Sequence, residues 1–197
     1  MLESLRDSAI SSFTEVLELM EKDPKEALKV FEKADETAKI LLKDPDNEFF
    51  HADFQKSFYN VFTLGDRFYA MGRFPQAQNF YELSLLISQT LLETDPENIS
   101  YQSDVAMTLN NLGLLLSNMG RIEEAKQRYE KSLEMRQNLL ETDHDNVSYQ
   151  SDVAITLNNL GLLLSNMGRI EEAKQKYEKS LEIKQTLLET DPANVSY

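Results

Sequence analysis

From Ile99 to Met119 the apolar residues Tyr101, Val105, Leu109, Leu112, Leu116 and Met119 follow one another at steps of three and four. That spacing sets them on one face of a helix with 3.6 residues per turn. Ile122, Ala125, Tyr129, Leu133 and Leu140 continue the pattern after a break at Asn118-Met119-Gly120-Arg121. A glycine just past the last periodic residue predicts a left-handed cap that ends the first helix. Ahead of it, Asp95-Pro96-Glu97-Asn98 combines a turn with a helix-starting asparagine. The pattern predicts two amphipathic helices joined by a tight turn.

The same pattern returns. Leu91-Leu92-Glu93-Thr94-Asp95 recurs at Leu139 to Asp143 and at Leu187 to Asp191, 48 residues apart each time, and 40 of 48 positions are identical between 99–146 and 147–194. Self-similarity at a fixed period is the signature of a repeat array. One period earlier Leu64-Gly65, Gly72, Ala77, Tyr81, Ser84 and Leu91 keep the register. In residues 1–47 only the second half is recognisable, through Ala27, Phe31, Ala34 and Leu41-Leu42, with Glu15 and Lys22 where the glycines should be. A divergent terminal repeat is expected of a capping unit, whose outer face meets water. The organisation read from this is a degenerate N-terminal capping hairpin at 1–48, then repeats at 49–98, 99–146 and 147–197. The last is expected to be cut at a repeat boundary, because Tyr197 copies Tyr149 and Tyr101, each of which opens a first helix.

Composition narrows the class without changing that picture. Six glycines and five prolines in 197 residues leave little turn chemistry beyond what the hairpins need, so the expectation is all-α. No cysteine is present, which removes disulfides and thiolate metal sites. Residues 1–7, Met-Leu-Glu-Ser-Leu-Arg-Asp, lack the order of a signal peptide, and no apolar run has the length of a membrane span. The expectation is a soluble cytoplasmic protein. A formal charge of -14 repels phosphate backbones and anionic lipid, so neither nucleic acid nor membrane is an expected partner.

Leu109-x2-Leu112-Gly113-x2-Leu116 followed by Ala125-x3-Tyr129 resembles the tetratricopeptide repeat, in which large residues and Leu-Gly on one helix precede Ala and an aromatic on the next. Gly113 and Ala125 are small where two helices approach, and Tyr129 is expected to fill space between neighbouring units. The resemblance covers about 58–197 well and 1–57 loosely. The usual period is 34, and the 14 residues added here are close to four helical turns, two per helix, so each face keeps its register. With this lengthening and the run Leu109-Asn110-Asn111-Leu112, the units look most like kinesin light chain repeats. The resemblance implies an α-solenoid of antiparallel helix hairpins wound as a right-handed superhelix, four hairpins and eight helices in all. It also implies that the first helix of each unit lines a concave surface that binds protein segments.

Charge favours that surface as the site. Between Ile99 and Met119 only Asp104 is charged, while the second helix alternates Arg121, Glu123, Glu124, Lys126, Arg128, Glu130, Lys131, Glu134 and Arg136. The candidate peptide-binding residues are Met107, Asn110, Asn111, Leu114 and Asn118 in one unit and Ile155, Asn158, Asn159, Leu162 and Asn166 in the next. A carboxamide both donates and accepts, so it pairs with the main chain of an extended peptide whatever its sequence. The light-chain resemblance carries this role to Asn111 and Asn159. It fails at the preceding unit, where Phe62 and Thr63 replace the pair and Tyr59, Asp66 and Tyr69 alter the face. The same asparagines could equally brace adjacent helices. The groove lacks the Lys and Arg with which other members clamp a terminal carboxylate.

No nucleophile, acid–base pair, metal cluster or phosphate loop assembles, so no catalytic residue, metal or cofactor is expected. His144 occupies a loop site taken by Pro96 and Pro192 in the sibling units, and His51 has no second histidine in reach. Glu123-Glu124 and Glu171-Glu172 sit in the first turn of a helix, where acids favour the macrodipole. Asn98-Ile99-Ser100, Asn146-Val147-Ser148 and Asn194-Val195-Ser196 match a glycosylation sequon and read as helix starts. The expected function is a non-enzymatic interaction scaffold. The rival is a self-associating rod, since an uncapped C-terminal hairpin with Ile183, Leu187 and Leu188 outward would self-associate.

Overall fold

The computed structural model describes residues 48–190 and, before them, residues 11, 12, 15, 16, 18, 19, 22, 23, 26, 27, 29 and 30. Among the described residues all regular structure is helical. Six helices are bounded: α1 Glu48–Ala70, α2 Phe74–Thr94, α3 Ile99–Asn118, α4 Ile122–Thr142, α5 Val147–Asn166 and α6 Ile170–Thr190. The expected first hairpin lies largely outside the described residues, as do residues 191–197 and the side chain of His51. Six of the eight expected helices are bounded among the described residues, and residues 11, 12, 15, 16, 18, 19, 26, 27, 29 and 30 ahead of them are helical as well. The chain forms two compact units, residues 1–108 and 109–197, the division falling inside α3.

Each turn inside a hairpin is built as its glycine predicts. Gly72, Gly120 and Gly168 have φ of 69°, 75° and 75°. At the end of α3 the Gly120 N–H donates to the Ser117 carbonyl at 3.0 Å and the Arg121 N–H reaches back to the Leu116 carbonyl at 2.9 Å. This is the double closure of a Schellman motif, which satisfies carbonyls that the helix end leaves open. Helices α3 and α5 begin on asparagine caps. Asn98 Oδ1 accepts from the Ser100 and Tyr101 N–H groups, and Asn146 Oδ1 from those of Ser148 and Tyr149. Two of the three sequons are thereby helix starts, and Asn194 lies outside the described residues. Helix α4 begins without a side-chain cap at Arg121. Arg121 and its copy Arg169 instead grip Glu124 and Glu172 one turn on, with Nε and Nη2 both bonded at 2.6–2.7 Å.

In the first unit α1 and α2 bury an aromatic core of Phe54, Phe58, Phe62, Phe80 and Tyr81. Phe68 stacks on Phe80 at 5.1 Å between centroids, and the Tyr81 hydroxyl donates to Asp66 at 2.6 Å. In the second unit one aliphatic cluster joins Leu116 of α3, Ala125, Tyr129 and Leu133 of α4, Val153, Leu157, Leu160 and Leu164 of α5, and Ala173 of α6. Tyr129 fills space as expected, and it does so both against Gly113 of its own hairpin and within this shared cluster.

The outward face of α6 differs from expectation. Leu187 is buried, Ile183 half-buried and Leu188 exposed. Ala173, Ser180 and Leu187 are seven residues apart and all buried, so this row is the inward stripe of the helix. Leu181 and Leu188, one residue further round, point out instead.

Candidate functional site

The ten candidate residues do not share one environment. In the second unit Asn110 is 6% exposed and Leu114 packs against the aliphatic cluster, while their copies on α5, Asn158 and Leu162, are exposed. Met107, in the first unit, is half-buried, and its copy Ile155 is exposed. These three positions change environment from one repeat to the next, so their burial depends on what stands against each unit. Four others do not change. Asn111 and Asn159 are both half-buried, and Asn118 and Asn166 are both exposed. They sit seven residues apart on each helix, two turns along one stripe.

Two of these four positions are tied together through Asn110. The Asn159 Nδ2 donates to Asn110 Oδ1 at 3.2 Å, and the Asn110 Nδ2 donates to Asn111 Oδ1 at 3.3 Å. A line of three carboxamides thus crosses from α5 to α3. Asn110 is a brace between helices, with one N–H and one lone pair of its amide engaged and its surface 6% exposed. Asn111 and Asn159 are held in place by it.

A second polar joint lies deeper between α4 and α5. Arg136 is buried, with Nη1 donating to the Asp152 carbonyl and to Thr156 Oγ1, both at 2.7 Å, and Nη2 3.6 Å from Asp152 Oδ1. Burial works against its charge and Asp152 works for it. Its Nε has no partner. In the first unit the residue one period before Arg136 is Ser88, so no guanidinium is offered to Asp104, the copy of Asp152. Asp104 is nonetheless 4% exposed. Its Oδ1 accepts from the Tyr59 hydroxyl at 3.2 Å and its Oδ2 lacks a partner. Burial without a cation pushes this carboxyl up to about 6, against a partial pull downward from Tyr59 and Gln55. Helical patterning marks Asp104 only as a lone charge, although the exchange of Arg136 for Ser88 one period earlier is a visible signal of a missing cation.

His144 is an exposed loop residue whose backbone carbonyl accepts from Gln150 Nε2 at 2.6 Å, just as the Pro96 carbonyl accepts from Gln102 at 2.7 Å. The backbone makes the contact, which is why proline serves as well. A groove of about 520 Å³ between α4 and α6 has Leu140, Val153, Leu157 and Ile183 inside and Glu134, Glu141, Glu182 and Lys179 around them. Among the described residues no group of three or more His, Cys, Asp or Glu could hold a metal ion, and no helix is long and apolar enough to cross a membrane.

The tetratricopeptide repeat family pattern matches residues 104–186. The Leu-Gly and Ala–Tyr framework seen in the helices lies within the matched stretch, which therefore carries tetratricopeptide repeats, a kind of repeat that generally mediates protein–protein interaction. No curated protein matches it. Solved structures similar to it include BtubC (BKLC) from P. vanneervenii, at 19% identity over 95% of this chain and 92% of that one, with a TM-score of 0.33. A crystal structure of MamA matches at 18% identity over 83% and 94%, TM-score 0.33, and a DHF58 filament at 17% over 95% and 94%, TM-score 0.41.

Proposed function

We propose that the chain is a non-enzymatic scaffold that holds an extended peptide segment of a partner across the first helices of its last two hairpins, through Asn111, Asn118, Asn159 and Asn166. The observation that carries this is their constancy. These four amides keep the same exposure in both repeats, whereas Met107, Asn110 and Leu114 differ from their copies. Asn118 and Asn166 are exposed and Asn111 and Asn159 half-buried in both repeats, so the stripe keeps an accessible edge whichever repeat carries it. No charged side chain interrupts it between Leu109 and Asn118, nor between Val153 and Asn166. An uncharged amide surface takes up main-chain N–H and C=O groups without demanding a particular side chain. Neighbouring helices are about 10 Å apart, which an extended peptide covers in about three residues. Asn110 and Leu114 drop out of the binding set, because the one braces and the other packs.

The test is a peptide-array screen followed by titration of the best binder against Asn111→Ala with Asn159→Ala. Each amide contributes on the order of 1–3 kcal/mol through two hydrogen bonds, so affinity should fall at least tenfold, with a drop in melting temperature no larger than that of Asn110→Ala, which breaks the same two bonds. Normal binding by the double variant would place the site elsewhere. Loss of binding together with a larger drop in melting temperature would make the two asparagines braces like Asn110. The rival reading, an array that only self-associates, predicts no binder in the screen.

A further inference from the structure

The acids of α4 and α6 differ in their partners. Glu124, Glu130, Glu172 and Glu178 each pair with a cation one turn away, Arg121, Lys126, Arg169 and Lys174, at 2.6–3.8 Å. Glu134 and Glu141 of α4 and Glu182 of α6 are exposed and make no ion pair among the described residues, and neither does Lys179. These three acids and the lysine stand around one groove, the cleft of about 520 Å³ between α4 and α6. Its apolar lining takes Val153 and Leu157 from α5, Leu140 from α4 and Ile183 from α6. Leu140 and Ile183 are only half-buried, so apolar surface stays open between carboxylates that nothing neutralises. A volume of this size falls within the range of ligand-binding clefts.

We propose that this groove is a docking site for a partner segment in which an apolar side chain is flanked by lysine or arginine. Charge decides the occupant. Three carboxylates against one ammonium leave the rim negative, and low-dielectric apolar walls focus that field into the cleft. An acidic segment is repelled, and so is a second copy of this chain, which carries -14. A wholly apolar segment would strip water from the carboxylates without supplying a counter-charge. Lysine and arginine meet both demands, because their aliphatic stems lie along apolar surface while the charged heads reach the rim. The spacing agrees. Glu134 and Glu141 are seven residues apart, about 10 Å along α4, a length that an extended segment spans in about three residues. Basic residues therefore fit on either side of the apolar one. The amide stripe lies on the first helices and is uncharged, whereas this groove is walled by the second helices and is acidic. The two surfaces suit different segments, and the groove stands whether or not the stripe binds a peptide.

Fluorescence anisotropy tests this with a fluorescein-labelled peptide, Arg-Lys-Leu-Lys-Arg, titrated with the whole chain. At about 0.1 M salt, charges more than about 10 Å apart are screened, so the net charge of the chain does not hold the peptide. Saturable one-site binding is expected, weakened about tenfold when serine replaces the leucine and abolished when glutamate replaces the basic residues. Glu134→Lys with Glu182→Lys should weaken it at least tenfold, and Lys179→Glu should strengthen it about threefold. All three side chains are exposed, so the melting temperature should stay as it was. Glu130→Lys with Glu178→Lys changes the net charge equally on the same helices and should alter affinity by less than about twofold. Equal losses in the two double variants, or indifference to the leucine, would mean diffuse attraction to an acidic surface and overturn the proposal. Binding that survives the groove variant but is lost in Asn111→Ala with Asn159→Ala places the peptide on the amide stripe and overturns it as well. So does a failure of the basic peptide to bind, or equal binding of its glutamate counterpart.

Discussion

A Cβ built on Gly113 would lie 2.7 Å from Cδ1 of Tyr129, closer than side chains approach, so the two residues form a lock in which helix α3 is bare where the α4 ring lies against it. The same contact is made at 2.7 Å between Gly65 and Tyr81 and at 2.9 Å between Gly161 and Tyr177. What surrounds the ring differs, because Tyr129 is buried and Tyr177 is half-buried.

Gly113→Ala should therefore destabilise by about 1–2 kcal/mol, the overpacking cost of up to about 3 offset by about 1 gained in helix propensity. Gly161→Ala, whose tyrosine can swing outward, should fall within about 0.5 kcal/mol of the wild type. Urea denaturation of the two variants side by side is the measurement, and equal losses would show that both rings are confined alike. Truncating the ring should follow the same order, with Tyr129→Ala costing about 3–5 kcal/mol and Tyr177→Ala clearly less.

The second expectation is a pH dependence in the first unit. Asp104 has a folded pKa of about 6, above its ordinary 3.8, so the folded state binds this proton more tightly than the unfolded state does. Ionised Asp104 then costs stability, fully above about pH 6, and the cost fades as pH falls toward about 4. Asp104→Asn should be more stable than wild type by about 2–3 kcal/mol at neutral pH, because folding raises the carboxyl pKa from 3.8 to about 6. The difference should vanish near the ordinary carboxylate pKa of about 4. Comparing the two proteins cancels the other carboxylates, and a difference independent of pH would exclude titration of Asp104 as its origin.

Arg136 should respond to truncation and to shape differently. Arg136→Ala removes the partner of Asp152 and of Thr156 and should cost about 2–4 kcal/mol. Arg136→Met keeps the volume, discards the buried charge along with its unbonded Nε, and should cost within about 1 kcal/mol. Arg136→Lys should lie between them, since one ammonium can serve the Asp152 carbonyl and Thr156 Oγ1 that Nη1 now bonds but has no second nitrogen for the Asp152 carboxylate, which Nη2 approaches at 3.6 Å. Equal losses for Met and Ala, read from the same urea titrations, would mean that the polar contacts outweigh the packing.

The asparagine brace gives a paired test. Asn110→Ala should cost about 1–3 kcal/mol by leaving the Asn159 amide without its acceptor beside α3. Asn158→Ala, at the copied but exposed site, should change stability by less than about 0.5 kcal/mol. Thermal melting of the two single variants would decide it, and equal shifts would remove the brace from the account.

Much of the molecule was legible in the chain alone, and for one reason: the features that could be read are local. Steps of three and four define the helices, Gly120 and Gly168 end them because only glycine takes positive φ without strain, and Asn98 and Asn146 start them with their own side-chain oxygens. The Gly113–Tyr129 lock follows from two residues in one hairpin whose register the period already set. What the sequence could not decide is what lies across from each face. Leu133 and Leu181, or Asn110 and Asn158, sit in repeats identical at 40 of 48 positions, and one of each pair is buried while the other is open. Helical periodicity says that a residue belongs to a stripe. Burial is a property of the neighbour that covers the stripe, and only the tertiary structure supplies the neighbour. For that reason Asn110 moved from the binding surface to a brace, Leu187 moved inward, and Asp104 became a buried carboxylate without the cation that Arg136 gives its copy.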